Sequence, residues 1–352
     1  MSTPRFGIAV RRGPAPEILR QARLAHDAGL DAVWIADHVT GFPVDQPVFE
    51  PFSALAAMSA VAPGLDMGIA ATDPFRRHPV VMGQAAMTLQ SFAGTRLLLG
   101  IGAGEAMNLD PYGIEHPRPL ARLREYTEAL RALGSSSMAD PIEHSGESYT
   151  LSRAYLQAPP AAQPPLIMLA ANAPKSRLLA GEVGDGWLPI MLTPELLAAD
   201  LREILEQGKQ VGRDMSGFRV AYHVWLGAAD SKEAGLSLIA RGAKSALLGF
   251  PRLATRLGGE FPDDFNWHSL EVDASVASRV AATADSLPDS VVRNVAVYGT
   301  PQDCAEDIAR FSAAGVTDFI FRTINPFDEL ADALPEILSL VPDRARTAAA
   351  RA

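Results

Sequence analysis

Residues 97–108 read Leu97-Leu98-Leu99-Gly100-Ile101-Gly102-Ala103-Gly104-Glu105-Ala106-Met107-Asn108. The apolar positions are consecutive rather than alternate. As a strand the segment must therefore be covered on both faces, the condition met in a parallel sheet wrapped by helices. Gly100, Gly102 and Gly104 strip side chains from the strand's C-terminal end, where a large flat molecule has room to rest against backbone. Glu105 and Asn108 follow at the mouth.

Outward from this segment, strand and helix patterns alternate. The spacing predicts strands over 6–10, 32–35, 67–71, 97–101, 165–170, 186–189, 219–226 and 318–324. Helices are expected over 14–28 with Gly29 as stop, 52–61, 78–92, 119–133, 174–181, 193–211 with Thr193 as cap, and from Thr300 to Gly315. An insertion at about 235–295 breaks the rhythm. Within it, 249–267 reads as a lid or a helical excursion, and the tail 347–352 as frayed. Eight strands with helices behind them and no separating linker predict an α/β fold: one (β/α)8 TIM barrel spanning 1–352, with an insertion before the last strand. A doubly wound open sheet is the alternative.

Composition narrows the function classes. The 352 residues, 48% hydrophobic, suffice for a full core. A net charge of -10 without any basic run argues against nucleic acid as partner. The single cysteine, Cys304, excludes an internal disulfide framework and suits a cytoplasmic setting; a packing role is expected for it. No apolar run approaches the roughly 20 residues that cross a membrane, so neither export nor insertion is expected.

Barrel chemistry gathers where strands end at the C-terminal face. That rule selects Arg11, Arg12, Asp37, His38, Thr72, Asp73, Glu105, Asn108, Asn172 and Arg322, although many polar residues lie there only because loops are wet. His38 reads either as a loop histidine bonded to a backbone carbonyl or as a proton donor or acceptor near neutrality. Glu105 reads as a helix cap, a buried ion-pair partner, the group orienting His38, or the acid itself. At Ala170-Ala171-Asn172-Ala173-Pro174, small residues lead into a helix whose first N–H groups suit a phosphate, with Lys175 and Arg177 nearby; an ordinary connection fits equally. The glycines do not match the Gly-x-Gly-x-x-Gly dinucleotide fingerprint, and the histidines lack metal-ligand spacing. No Gly-x-Ser-x-Gly elbow occurs. No metal is expected.

Ala36-Asp37-His38, the Gly100–Asn108 block, the 170–174 turn, Gly181-Glu-Val-Gly-Asp-Gly-Trp187 and the Gly299-Thr-Pro-Gln-Asp303 start together resemble the luciferase-like flavin and deazaflavin oxidoreductase superfamily. The Gly-Glu-Ala-Met-Asn block is similar to the branch using coenzyme F420, with FMN as the alternative cofactor. The resemblance implies hydride exchange between F420 and a small-molecule carbonyl, imine or alcohol, with catalytic His38 and Glu105. It implies cofactor contacts from Ala70, Ala71 and Thr72, where the family places a non-prolyl cis peptide, and from Gly104 and Asn108. The turn Ala170, Ala171, Asn172 and Ala173 would hold the cofactor's phosphate, and a homodimer is implied. Phe42 and Asn172-Ala173 depart from the tryptophan and Gly-Gly of the sugar-phosphate dehydrogenases, which argues against glucose 6-phosphate. An FMN-dependent monooxygenase and a non-catalytic cofactor-binding relative are the alternatives.

Overall fold

The computed structural model describes residues 3–41, 45–157, 164–258, 274–323 and 327–342. Its strands are β1 (Arg5–Ala9), β2 (Ala32–Ile35), β3 (Asp66–Thr72), β4 (Leu97–Gly102), β5 (Ile142–Ser145), β6 (Thr150–Ala154), β7 (Leu166–Ala170), β8 (Gly186–Trp187), β9 (Arg219–Ala228), β10 (Ala296–Gly299) and β11 (Asp318–Arg322). Eight of them, β1-β2-β3-β4-β7-β8-β9-β11, pair in parallel and close through β11–β1 and β8–β9. These are the eight strands predicted from sequence. The fold is a TIM barrel, and β10 pairs with β9 outside the ring.

Helices α1 (Ala15–Asp27), α2 (Pro51–Val61), α3 (Pro79–Ala93), α4 (Pro119–Ser135), α5 (Pro174–Val183) and α6 (Pro194–Gln210) follow successive ring strands. Thr193 caps α6 by accepting from Leu196 N at 3.3 Å, and Gly29 takes a φ of +73° just after α1. Both match the sequence reading. The 235–295 region is largely helical: α7 (Lys232–Leu248), α8 (Pro251–Arg256), α9 (Ala274–Ser286) and α10 (Ser290–Arg293) precede β10. Of the stretch 249–267, residues 259–267 lie outside the described residues, as do Phe42, Ile324 and the tail 347–352. Then α11 (Pro301–Ala313) opens with reciprocal Thr300–Asp303 capping, and α12 (Phe327–Leu340) follows β11.

One departure from the predicted rhythm lies between α4 and β7, where β5 and β6 form an antiparallel hairpin. Glu125 on α4 accepts from Ser148 N at 3.0 Å and Tyr149 N at 2.7 Å, satisfying the hairpin's turn. Tyr149 Oη in turn donates to Pro74 O at 2.7 Å, beyond the end of β3. No described helix is long and apolar enough to cross a membrane.

Alternation along the strands sends every second side chain inward. The interior has a small core of its own, in which Trp34 meets Ala70, Leu98, Met168, Leu188 and Ile320. Trp34 is 1% exposed. It fits because its flanking strands carry glycine: a Cβ on Gly68 would overlap the indole, and one on Gly7 would come within 2.7 Å of Nε1. Gly68→Ala is expected to destabilise the protein by about 1–3 kcal/mol through overpacking. In urea denaturation, Trp34→Leu placed in the Gly68→Ala background should cost less than it does alone; strict additivity would refute the plug.

Candidate active site

Each site residue sits at or just beyond the C-terminal end of a ring strand. His38 lies three residues past β2, and Arg12, past β1, donates from Nη2 to its Nδ1 at 3.1 Å. The loop can fold onto Arg12 because Gly41 has no side chain; a Cβ there would overlap the guanidinium. Glu105, past β4, brings Oε2 within 3.6 Å of His38 Nε2. Its side chain caps no helix, which removes one of the sequence alternatives.

Asn108 holds this geometry. Its Oδ1 accepts from Val39 N at 2.7 Å and Thr40 N at 3.1 Å, while Nδ2 donates to Glu105 Oε2 at 3.1 Å. One buried amide thus ties the loop carrying His38 to the turn carrying Glu105. From the other side, buried Asp37 pairs with Arg76 Nη1 at 3.1 Å and with Arg77, and its carbonyl accepts from Arg76 Nη2 at 2.6 Å. Asp73 fixes Arg76 through an ion pair and backbone bonds, so Asp37 and Asp73 serve as framework. Burial lowers the proton affinity of His38 below its ordinary value; Glu105 and Asp37 oppose that, and Arg12 and Arg76 add to it.

The Ala70–Ala71 peptide bond is cis, at the position the resemblance implied. The three glycines of β4 divide in their roles. A Cβ on Gly100 would collide with the Ile69 carbonyl, so that glycine serves internal packing; Gly104 has a φ of +91°. Only at Gly102, the last residue of β4, would an added methyl make ordinary contacts, 3.5 Å from Ala170 Cβ. Across from it, the turn 170–173 is braced by Trp187, whose Nε1 donates to Ala171 O at 2.7 Å. Ser176 Oγ accepts from Ala173 N at 3.2 Å and starts α5. Arg177 donates from Nη1 to Asn172 O at 3.2 Å and pairs with Asp200 at 3.3 Å and Glu203 at 3.2 Å, so it braces the turn. Trp34 and Trp187 are core, and burial pushes the Cys304 thiol up to about 12, in keeping with packing.

Sequence reasoning selected Arg322 but passed over the two residues of β9 that form a wall with it, His223 and Trp225. His223 and Trp225 on β9 share the inward parity of Ala221, and Arg322 on β11 shares that of Ile320. The Arg322 guanidinium lies over the Trp225 ring, 4.8 Å from its centre. Period-two counting from the end of each predicted strand would have found this wall. Arg12 Nη1, Thr72 Oγ1, Asn172 Oδ1, His223 Nε2 and Trp225 Nε1 are all buried without a hydrogen-bond partner. All five lie at the upper halves of ring strands or just past them. Unsatisfied polar atoms are rare in folded proteins, and their concentration here fits a polar, ring-shaped ligand.

A family model described as luciferase-like monooxygenase matches residues 2–318. The chain belongs to this family. Among luciferase-like relatives, a phthiodiolone/phenolphthiodiolone dimycocerosates ketoreductase from Mycobacterium kansasii is 28% identical over 314 residues, covering 82% of this chain and 85% of the relative. A 5,10-methylenetetrahydromethanopterin reductase from Archaeoglobus fulgidus is 27% identical, covering 86% and 88%. In fold, an F420-dependent secondary alcohol dehydrogenase solved with an F420-acetone adduct superposes with a TM-score of 0.83 at 21% identity, over 97% of this chain and all of that one. An EDTA monooxygenase from Chelativorans sp. BNC1 gives 0.73 at 16% identity, over 98% and 95%.

For this luciferase-like site, removing the Glu105 charge with Glu105→Gln should move the His38 pKa further down, and Arg12→Gln should move it up. Imidazole NMR titrations read both shifts; equal or reversed signs would contradict the geometry.

Proposed function

We propose that the protein is an F420-dependent oxidoreductase that exchanges a hydride with the carbonyl, imine or alcohol carbon of a small molecule. The observation that carries this reading is the His38–Glu105 pair, held by Asn108 and Arg12 at the barrel end where β4 finishes in Gly102. Supporting it, the relatives named above include two reductases, and the alcohol dehydrogenase built around F420 superposes more closely than the monooxygenase.

The residues present fit the cofactor. Ala70, Ala71 and Thr72 would back the ring, with the unpartnered Thr72 hydroxyl as a polar contact. Gly102 and Gly104 would leave space beside it, and Ala170, Ala171, Asn172 and Ala173 would hold the phosphate. Bound there, a deazaflavin supplies hydride from C5 and reacts sluggishly with oxygen.

The protein's own contribution is proton handling and orientation. A guanidinium only donates, so Arg12 makes His38 Nδ1 an acceptor, and the neutral ring keeps its proton on Nε2, facing Glu105. His38 therefore presents an N–H to a substrate oxygen, made more acidic by the cation on the opposite nitrogen. With hydride delivered to the carbonyl carbon, the oxygen would take that proton, and the imidazolate left on His38 would be held by the Arg12 cation at Nδ1 until Nε2 is reprotonated. Glu105, with 34% of its side chain exposed, links Nε2 to water for reprotonation. Asn108 is a positioning residue, since its amide is spent on the two loops.

Titration with F420 and with FMN, followed by fluorescence quenching and oxygen uptake, tests the reading. Binding of F420 without oxygen consumption is expected; FMN binding with oxygen uptake would replace it with a monooxygenase. His38→Ala should retain F420 affinity and lose about 10²–10⁴-fold in turnover. Unchanged turnover would remove His38 from the reaction.

A further inference from the structure

The inner wall formed by β9 and β11 has no part in the hydride and proton chemistry just described. Its most unusual member is Arg322. Arg76 and Arg77 pair with Asp37, Arg177 and Arg256 with Asp200, and Arg219 with Asp318. Arg322 has no carboxylate and no hydrogen bond among the described residues; its contact is the face of Trp225. A chain with a net charge of -10 thus leaves, among the described residues, a cation without a counter-charge on the inner face of its barrel mouth.

Stacking occupies the face of a guanidinium and leaves its edge donors free. Arg12 lies close enough to act on Arg322 through space, and Arg12 is bonded to His38 Nδ1, so Arg322 stands at the same end of the barrel as the proton donor. Burial, and then Arg12, pull the Arg322 pKa down to about 10, the direction for a cation awaiting an anion. His223, beneath, is kept neutral by burial and by Arg322, its pKa pushed down to about 3, and adds no competing charge.

We propose that Arg322, stacked on Trp225, anchors a carboxylate carried by the substrate, which makes the hydride partner an oxo acid or hydroxy acid. The assignment rests on the function proposed above. A planar fork with two parallel N–H bonds matches a carboxylate, and an aromatic shelf keeps that fork in one orientation. Arg12 adds attraction and faces the reacting oxygen's side of the cavity through His38.

The test separates this inference from the cofactor reading. The protein without cofactor is titrated with pyruvate, acetoacetate and levulinate, and with their methyl esters, following tryptophan fluorescence. Trp225→Phe identifies the reporter. At least one acid is expected to bind saturably, its ester not, and Arg322→Gln should weaken that acid by about 100-fold, with Arg322→Lys recovering part. Equal binding of acids and esters overturns the proposal, and that wild-type comparison decides alone if the Arg322 variants do not fold. Tighter binding of dihydroxyacetone phosphate than of any oxo acid also overturns it, in favour of a phosphate. So does a loss of F420 affinity in Arg322→Gln with acid binding intact, which gives the arginine to the cofactor. Failure of the wild type to bind F420 while it still binds the acid sinks the proposed function and leaves the carboxylate anchor standing.

Discussion

The architecture depends on how a closed ring of eight strands fills its own centre. One indole, Trp34, occupies the middle, and the glycines facing it on β1 and β3 exist to admit it. Below the plug the inner face pairs Arg5 with Asp66 and Arg219 with Asp318, while above it His223, Trp225 and Arg322 stand without a carboxylate partner among the described residues. The floor of the site is therefore a packing decision, and its chemistry begins one layer higher.

Above the plug, rigidity comes from polar contacts between loops of different strands. Asp37 gathers two arginines from the segment after β3, Asn108 fastens the β2 loop to the β4 turn, and Arg12 reaches from β1 to the imidazole. Such buried networks hold their members in one arrangement when each group is satisfied. At the mouth the unsatisfied atoms are Arg12 Nη1, inside that network, and Thr72 Oγ1, Asn172 Oδ1, His223 Nε2 and Trp225 Nε1 around it, where a polar ligand can complete them.

The ring strands were legible because each is a short apolar run bounded by turn residues, and because a helix pattern follows most of them. The β5–β6 hairpin was not, since Ile142–Ser145 and Thr150–Ala154 are largely exposed and bury one apolar side chain, Leu151. The four residues of β10 follow directly on the segment read as an insertion and were not read as a strand. Also missed was α7, although Ser231 caps it by accepting from Ala234 N at 3.2 Å. At the site, His38 and Glu105 could be chosen by position after a strand. The Arg12–His38 bond spans 26 residues and depends on how two loops fold, which no local pattern encodes. Nor did the glycine pattern reveal that Gly100 serves a neighbouring carbonyl while a methyl at Gly102 would make only ordinary contacts.

The Glu125–hairpin–Pro74 linkage carries an evolutionary consequence. Tyr149 reaches the segment after β3 from an excursion that contributes no strand to the ring, and Arg122 lies over both Tyr149 and Phe75, at 4.4 and 5.6 Å from their ring centres. Length and composition of that excursion can drift while the barrel's register stays fixed. Descendants of such a chain can therefore reshape one bank of the cavity by indels in a peripheral ribbon, acquiring new substrates without renegotiating the central scaffold.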